Sequence, residues 1–222
     1  MKNQTNKITV IVPCWNYGMF LRECLDSILA STVLPHEIIV ADDCSSDDSQ
    51  QIGVEYGLKH RLVKPMRNME RLGTVANENQ AAKFVSTPWM FFLDADDKID
   101  PTYIEKVLKV IDERDEKLMV VYSDMQKFGL WDGVWAVSEW DPVALRTGNY
   151  INGHSVLRKD LFDRIGGLKD NGNFEDHQMW VDMMDLDKEF YGVHIPEALI
   201  WYRRHDFGHR TDKSDITKRQ NI

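Results

Sequence analysis

Long apolar runs are missing from these 222 residues. A membrane-spanning helix needs about 18 or more of them in a row, so this stretch holds no such span. The first seven residues are polar and lead directly into a short apolar run, without the stretch a secretory leader uses. Cysteine is also scarce. Cys14, Cys24 and Cys44 lack the number and spacing of a disulfide framework or a zinc knuckle. That suits a reduced, cytoplasmic chain, free or peripheral to a membrane. Positive charge is in deficit, with 27 Lys and Arg against 36 Asp and Glu, for a net charge of −9. Such a balance argues against nucleic acid as a partner and suits a site where a divalent cation offsets crowded carboxylates. Glycine-rich phosphate loops are absent as well, which removes support for a dinucleotide cofactor or P-loop phosphoryl transfer.

What is present is alternation. Residues 8–12 form an apolar run ended by Pro13, predicted as a strand. Phe20, Leu21, Cys24, Leu25, Ile28 and Leu29 follow at helical spacing. Residues 38–41 read as a second strand, Leu62 and Val63 as a weaker one, and 74–85 as a helix. Residues 89–93 are a strong strand, 101–111 a helix and 118–122 another strand. Strands and helices in this rhythm predict a mostly parallel sheet covered on both faces. Beyond residue 124 the period is lost, and an irregular stretch with one hairpin is expected. Trp131, Trp135 and Trp140 in it suit core packing or a stacking platform for an acceptor. Short helices at 160–165 and 176–186 and a strand at 193–202 complete the reading. No linker or repeat interrupts it. We expect one domain over 1–222: a nucleotide-binding half (1–124), an acceptor and catalytic-base half (125–210) and a flexible tail (211–222).

In open parallel sheets, ligands sit beyond the carboxyl ends of the strands. Three polar turns fall there: residues 13–17, Asp42 with Asp43, and Asp94-Ala95-Asp96-Asp97. Crowded carboxylates repel one another, and a divalent cation relieves that repulsion. Each turn also suits plain capping. Glu175 and Asp176 open a helix after a glycine-rich stretch and suit either a cap or a base. His205 follows Arg203 and Arg204 after the last strand, as a metal ligand or a surface histidine, with His209 as its competitor. His154 and His177 fall near the same place.

Together these residues resemble the large inverting glycosyltransferase family with the GT-A fold, called family 2 or rhamnan-synthesis-like glycosyltransferases. Its opening Pro-x-x-Asn-Tyr is matched by residues 13–17 and its Asp-Asp-Gly-Ser-x-Asp by residues 42–47. A glycine and an Ala-Arg-Asn element correspond to Gly73 and to Asn77, Glu78 and Asn79. Leu-Asp-Ala-Asp-Asp at 93–97, Arg158 through the Gly166-Gly167 pair, Glu175-Asp176 and residues 202–205 continue the order. Two positions depart from the pattern: Cys44 stands for the glycine and Glu78 for the arginine.

The resemblance implies an α/β GT-A fold with a Rossmann-like sheet and a small acceptor-side extension. It implies metal-dependent single displacement from a nucleoside-diphosphate sugar, most often a UDP-sugar, to a saccharide or other hydroxyl-bearing acceptor. Pro13, Tyr17, Asp42, Asp43, Asn79, Asp94, Ala95 and Arg203 would border the donor. Asp96 and His205 would hold Mn²⁺ or Mg²⁺, Asp176 would be the general base, and Glu175 would orient the acceptor. A homo-oligomer is left open. The rival expectations are a metal-dependent sugar nucleotidyltransferase and a sugar-nucleotide-binding protein without transfer activity.

Overall fold

The structure, a computed structural model, describes residues 7–172 and 174–205. The expected tail at 211–222 and His209 lie outside the described residues. The chain runs β1 (Ile8–Cys14), α1 (Gly18–Leu29), β2 (Glu37–Asp42), α2 (Ser49–Lys59), β3 (Val63–Arg67), α3 (Thr74–Ala82), β4 (Trp89–Phe92) and β5 (Lys98–Ile99). It continues with α4 (Tyr103–Asp112), β6 (Leu118–Gly129), β7 (Gly133–Trp135), α5 (Pro142–Thr147), β8 (Val156–Arg158), α6 (Lys159–Arg164), α7 (Glu175–Leu186) and β9 (Tyr191–Arg204).

The expected α/β architecture is present. One sheet has the order β3-β2-β1-β4-β8-β6-β9-β5, with β7 on the edge of β6. β1 is parallel to both β2 and β4, and every residue of it is buried. A strand covered on both faces needs apolar residues throughout, which is why Ile8, Val10, Ile11 and Val12 form an unbroken run. Their alternation divides the core. Val10, Val12, Ile38, Val40 and Phe91 face α1 and α4, whereas Ile11, Ile39, Met90 and Phe92 face the α7 residues Met179, Trp180 and Met183.

β1 passes through Pro13 to Cys14, one residue past the expected stop. Pairing with β4 has already ended at Ile11, so the missing proline N–H interrupts no ladder there. Past residue 124 the structure is more regular than its sequence suggests. β6 continues to Gly129 because it is paired with β9 along its length and with β7 in the expected hairpin. β5, β8 and α5 are additions: a two- or three-residue strand or a six-residue helix has too little length to show a period.

β5 has a specific consequence. It follows the acidic turn after β4 directly and pairs antiparallel with β9, Lys98 opposite Trp201 and Ile99 opposite Ile200. The late segment 201–205 is thereby brought against the Asp94–Asp97 turn.

Candidate active site

The turn after β4 is closed by a hydrogen bond from the Asp97 N–H to the Asp94 carbonyl at 2.9 Å. Its aspartates are divided by burial. Asp97 is 1% exposed; its Oδ1 accepts from the Arg203 N–H at 2.7 Å and its Oδ2 lies 2.8 Å from His154 Nε2. His154 Nδ1 donates to the Phe92 carbonyl at 3.1 Å. Burial pulls the His154 imidazole down, but its hydrogen bond with Asp97 and the charges of Asp94 and Asp97 outweigh this and hold it at about 10. Asp97 and His154 therefore form a buried pair that ties β9 to β4 and keeps its proton at neutral pH.

Asp96 meets His205, with Oδ2 2.9 Å from Nε2. Burial, then the charges of Asp97 and Asp94, push the Asp96 carboxyl up to about 7 despite the His205 hydrogen bond. The imidazole of His205 stacks on Phe20, with centroids 4.8 Å apart, and Tyr17 lies 5.8 Å away on the same side. Burial and the neighbouring Asp96 also raise the Tyr17 hydroxyl, so it stays protonated. A carboxylate strained by its neighbours and an imidazole at ligand spacing are a donor set that fits a hard divalent cation. Asp94, Asp97 and His154 also have ligand atoms within 4.8 Å of one another and could hold a metal ion. In both sets a carboxylate and an imidazole already bond each other, Asp97 with His154 and Asp96 with His205.

Asp94 opens on a cavity of about 240 Å³. Asp176 and Glu175, at the start of α7, line the same cavity, with Phe92, Met125, Trp135, Tyr150 and Tyr202 among its walls. Asp176 Oδ1 accepts from the His177 N–H at 2.7 Å and Oδ2 from Asn149 Nδ2 at 2.9 Å. Burial nonetheless raises its carboxyl above the ordinary value. Two separated acidic segments, 94–97 and 175–176, thus meet at one cavity, whereas the Asp42–Asp43 turn does not line it.

Other expected residues stand further back. Asp42 is buried, accepting from the Ser45 N–H at 3.2 Å and from Arg67 at 3.1 Å, beside a smaller cavity of about 110 Å³. Asp43 accepts from Asn68 Nδ2 (2.9 Å) and from the N–H groups of Leu72 and Gly73 (both 2.8 Å). Pro13 and Ala95 are buried in the fold itself. Asn79 uses both amide atoms on the Leu168 backbone, at 2.9 Å each. This is possible because Gly167, at φ +82°, leaves open a place where a Cβ would lie 2.4 Å from Asn79 Oδ1. The Arg203 side chain donates to the Asp96 carbonyl at 2.7 Å, pairs with Glu23 and lies over Phe20 and Phe128. Its guanidinium supports the Asp94–Asp97 turn. His177 donates through Nε2 to the Leu145 carbonyl at 2.6 Å and fastens α7 to α5.

The turn after β2 does need a left-handed residue. Cys44 has φ +59°, so the cysteine occupies the conformation that the family's glycine suits. Asn149, Asn152 and Tyr150 are site-lining residues that the sequence reading did not single out. Of the tryptophans, Trp140 packs on the core, whereas Trp131 and Trp135 are exposed on the hairpin, Trp135 at the cavity.

Comparison with known proteins agrees with this fold. An uncharacterized glycosyltransferase of Escherichia coli K12, YibD, is 32% identical over 171 residues, covering 74% of this chain and 46% of the relative. Staphylococcus aureus TarS 1–349, solved in complex with UDP-GlcNAc, superposes with a TM-score of 0.76 at 22% identity, over 92% of this chain and 60% of that one. The mannosyltransferase PcManGT from Pyrobaculum calidifontis, solved with GDP-Man and Mn²⁺, gives 0.74 at 17% identity, over 99% and 66%. The two structures share the fold, and the chain spans under half of YibD and three fifths of the TarS chain. Residues 9–168 match the model for Glycosyl transferase family 2, more than half of the chain, and the chain belongs to that family.

Proposed function

We propose that this chain transfers a sugar from a nucleoside-diphosphate sugar to an acceptor hydroxyl, by single displacement with inversion. The observation that carries the reading is that Asp94 and Asp176, far apart in the sequence, line one cavity beside the Asp96–His205 pair. The order of the motifs at 13–17, 42–47 and 93–97 favours the rhamnan-synthesis-like branch. Residues 1–124 act as the nucleotide-binding half and 125–210 as the acceptor and base half of one domain. A UDP-sugar is the first donor to test, and the acceptor is a saccharide or another hydroxyl compound.

Pro13, Tyr17 and Asp42 border the base and ribose, and Asp94 receives a hydroxyl of the ribose or sugar. Asp43, Asn79, Ala95 and Arg203 serve the donor indirectly, by fixing the turns that present those groups. Asp96 and His205 would hold Mn²⁺ or Mg²⁺, which supplies positive charge to a departing diphosphate. Asp176 takes the proton of the acceptor hydroxyl. That oxygen bonds to the anomeric carbon as the bond from this carbon to the diphosphate oxygen breaks, so no covalent enzyme intermediate is needed. Asn149 and the His177 N–H fix the plane of the carboxylate, and its raised pKa brings it nearer to the hydroxyl it must deprotonate. Glu175 orients the acceptor. The test is NMR of the product formed from an anomerically defined UDP-sugar, with UDP release followed in parallel. Inversion with equimolar UDP is expected; a retained configuration, or release of pyrophosphate from a nucleoside triphosphate, would contradict the proposal.

A further inference from the structure

Between β7 and α5 the chain has no regular structure, yet side chains fasten it against β6 and β9. The Val137 N–H donates to Asp124 Oδ1 at 2.9 Å, and the Tyr122 hydroxyl donates to the Ser138 carbonyl at 3.0 Å. Trp140 lies on Gly192, where a Cβ would come within 2.6 Å of its ring. His194, on β9, adds a clasp. Its Nε2 lies 2.9 Å from Asp124 Oδ1 and its Nδ1 3.0 Å from Glu139 Oε1, and its ring stacks on Tyr122 with centroids 5.3 Å apart. Asp124 and the His194 side chain are both buried, so water competes little for the bond between them. One imidazole thus holds the segment twice, through Glu139 directly and through the carboxylate that receives Val137.

The segment hands its position on. The Asp141 N–H donates to the Tyr150 hydroxyl oxygen at 2.8 Å, and that hydroxyl donates to the Asp141 carbonyl at 3.1 Å. Asp141 also caps α5, so residues 141–150 close into one unit, which His177 fastens to α7. Asn149, next to Tyr150, is the residue of this unit that donates to Asp176 Oδ2.

We infer that His194 is a positioning residue for the proposed base: it holds residues 137–141 on β6 and β9 and thereby keeps Asn149 on Asp176. The inference rests on the function proposed above. A base must stay within hydrogen-bond reach of the proton it takes, and a displacement of about 1 Å can cost a hundredfold in rate. None of these contacts includes a residue assigned to the donor, so the effect is confined to the acceptor side.

The experiment follows the Asp176 carboxyl by ¹³C NMR titration of the full chain, with its signal assigned from Asp176→Asn, so no acceptor is needed. Glu78, Asp94 and Glu175 share its cavity and His177 follows it, and the variants leave all four unchanged. Asn149 favours the ionised carboxylate, so loosening it raises the midpoint. His194→Ala and Asn149→Ala should each raise it by about half a pH unit or more, and the double variant by no more than Asn149→Ala alone. His194→Gln, which restores an N–H toward Asp124, should recover at least half of the shift. Affinity for UDP with Mn²⁺ should be unchanged in every variant. A midpoint that stays or falls in His194→Ala overturns the inference, as does a shift that adds to that of Asn149→Ala or comes with lost UDP binding. Should His194→Ala not fold, Tyr150→Phe removes the link to Asp141 and is judged by the same outcomes. If neither UDP nor GDP binds the wild type with Mn²⁺, the glycosyltransferase reading fails, while the midpoints still decide whether His194 positions Asp176.

Discussion

The turns after β2 and β4 both carry adjacent aspartates, and the two pairs meet different surroundings. After β2, Asp43 faces only donors: a side-chain amide and two backbone N–H groups within 2.9 Å. Asp42 is likewise met by a backbone N–H and by Arg67. After β4, Asp96 and Asp97 also meet donors, His205, His154 and the Arg203 N–H, yet burial and the charges of neighbouring aspartates raise both carboxyls. A carboxylate surrounded by N–H groups holds a loop in shape. One crowded by other carboxylates stores an electrostatic cost that a cation or a proton removes, and this is the property a reactive site uses.

The contrast is broken most severely at Asp96. Asp96→Ala should reduce Mn²⁺-dependent binding of the nucleoside diphosphate by at least a hundredfold, read by titration with and without the metal, while the melting temperature holds or rises. Equal binding in the variant would move the cation to Asp94, Asp97 and His154. Asp43→Ala should do the reverse. It leaves buried N–H groups without their charged acceptor and should cost about 3 kcal/mol or more of stability in urea unfolding, whatever the metal concentration. A stable Asp43→Ala protein that had lost only donor binding would erase the distinction.

A subtler test uses pH. Asp176 acts as a base only when ionised, and burial raises its pKa, so protonation begins at a higher pH than for an exposed aspartate. With Mn²⁺ and donor saturating, kcat should fall about tenfold per pH unit on the acid side, with a midpoint above that of an exposed aspartate. A kcat that stays flat down to the titration range of an exposed aspartate would remove Asp176 from the role. The smallest effect is expected at Cys44. Cys44→Gly relieves the strain at φ +59° but frees the unfolded chain, so the unfolding free energy in urea should hold or rise by up to about 1 kcal/mol. A clear loss of stability would mean that the cysteine side chain supports the turn.

The two halves of the chain also differ in how far their sequence reveals them. Up to Tyr122, β5 apart, each buried strand or amphipathic helix is long enough to show its period, and the acidic turns stand at recognisable strand ends. Beyond Asp124 the partners are remote. Asn149 meets Asp176, and His154 meets Phe92 and Asp97, only because β8 inserts antiparallel between β4 and β6. Those contacts have no local signature, since they depend on pairings of two or three residues. Asn79 illustrates the opposite case. Its position in the sequence pattern points to the donor, while its amide is fixed on Leu168. A motif identifies the residue, and only the fold shows which neighbour it serves.

The central claim, that Asp176 deprotonates the acceptor across the cavity from Asp94, is tested most directly by single-turnover transfer with Asp176→Asn. Donor affinity should stay within about twofold of the wild type, because Asp176 is placed on the acceptor side. The transfer rate should fall by roughly 10²–10⁴, the usual worth of a positioned base. A rate within a few-fold of the wild type at equal donor occupancy would contradict the account.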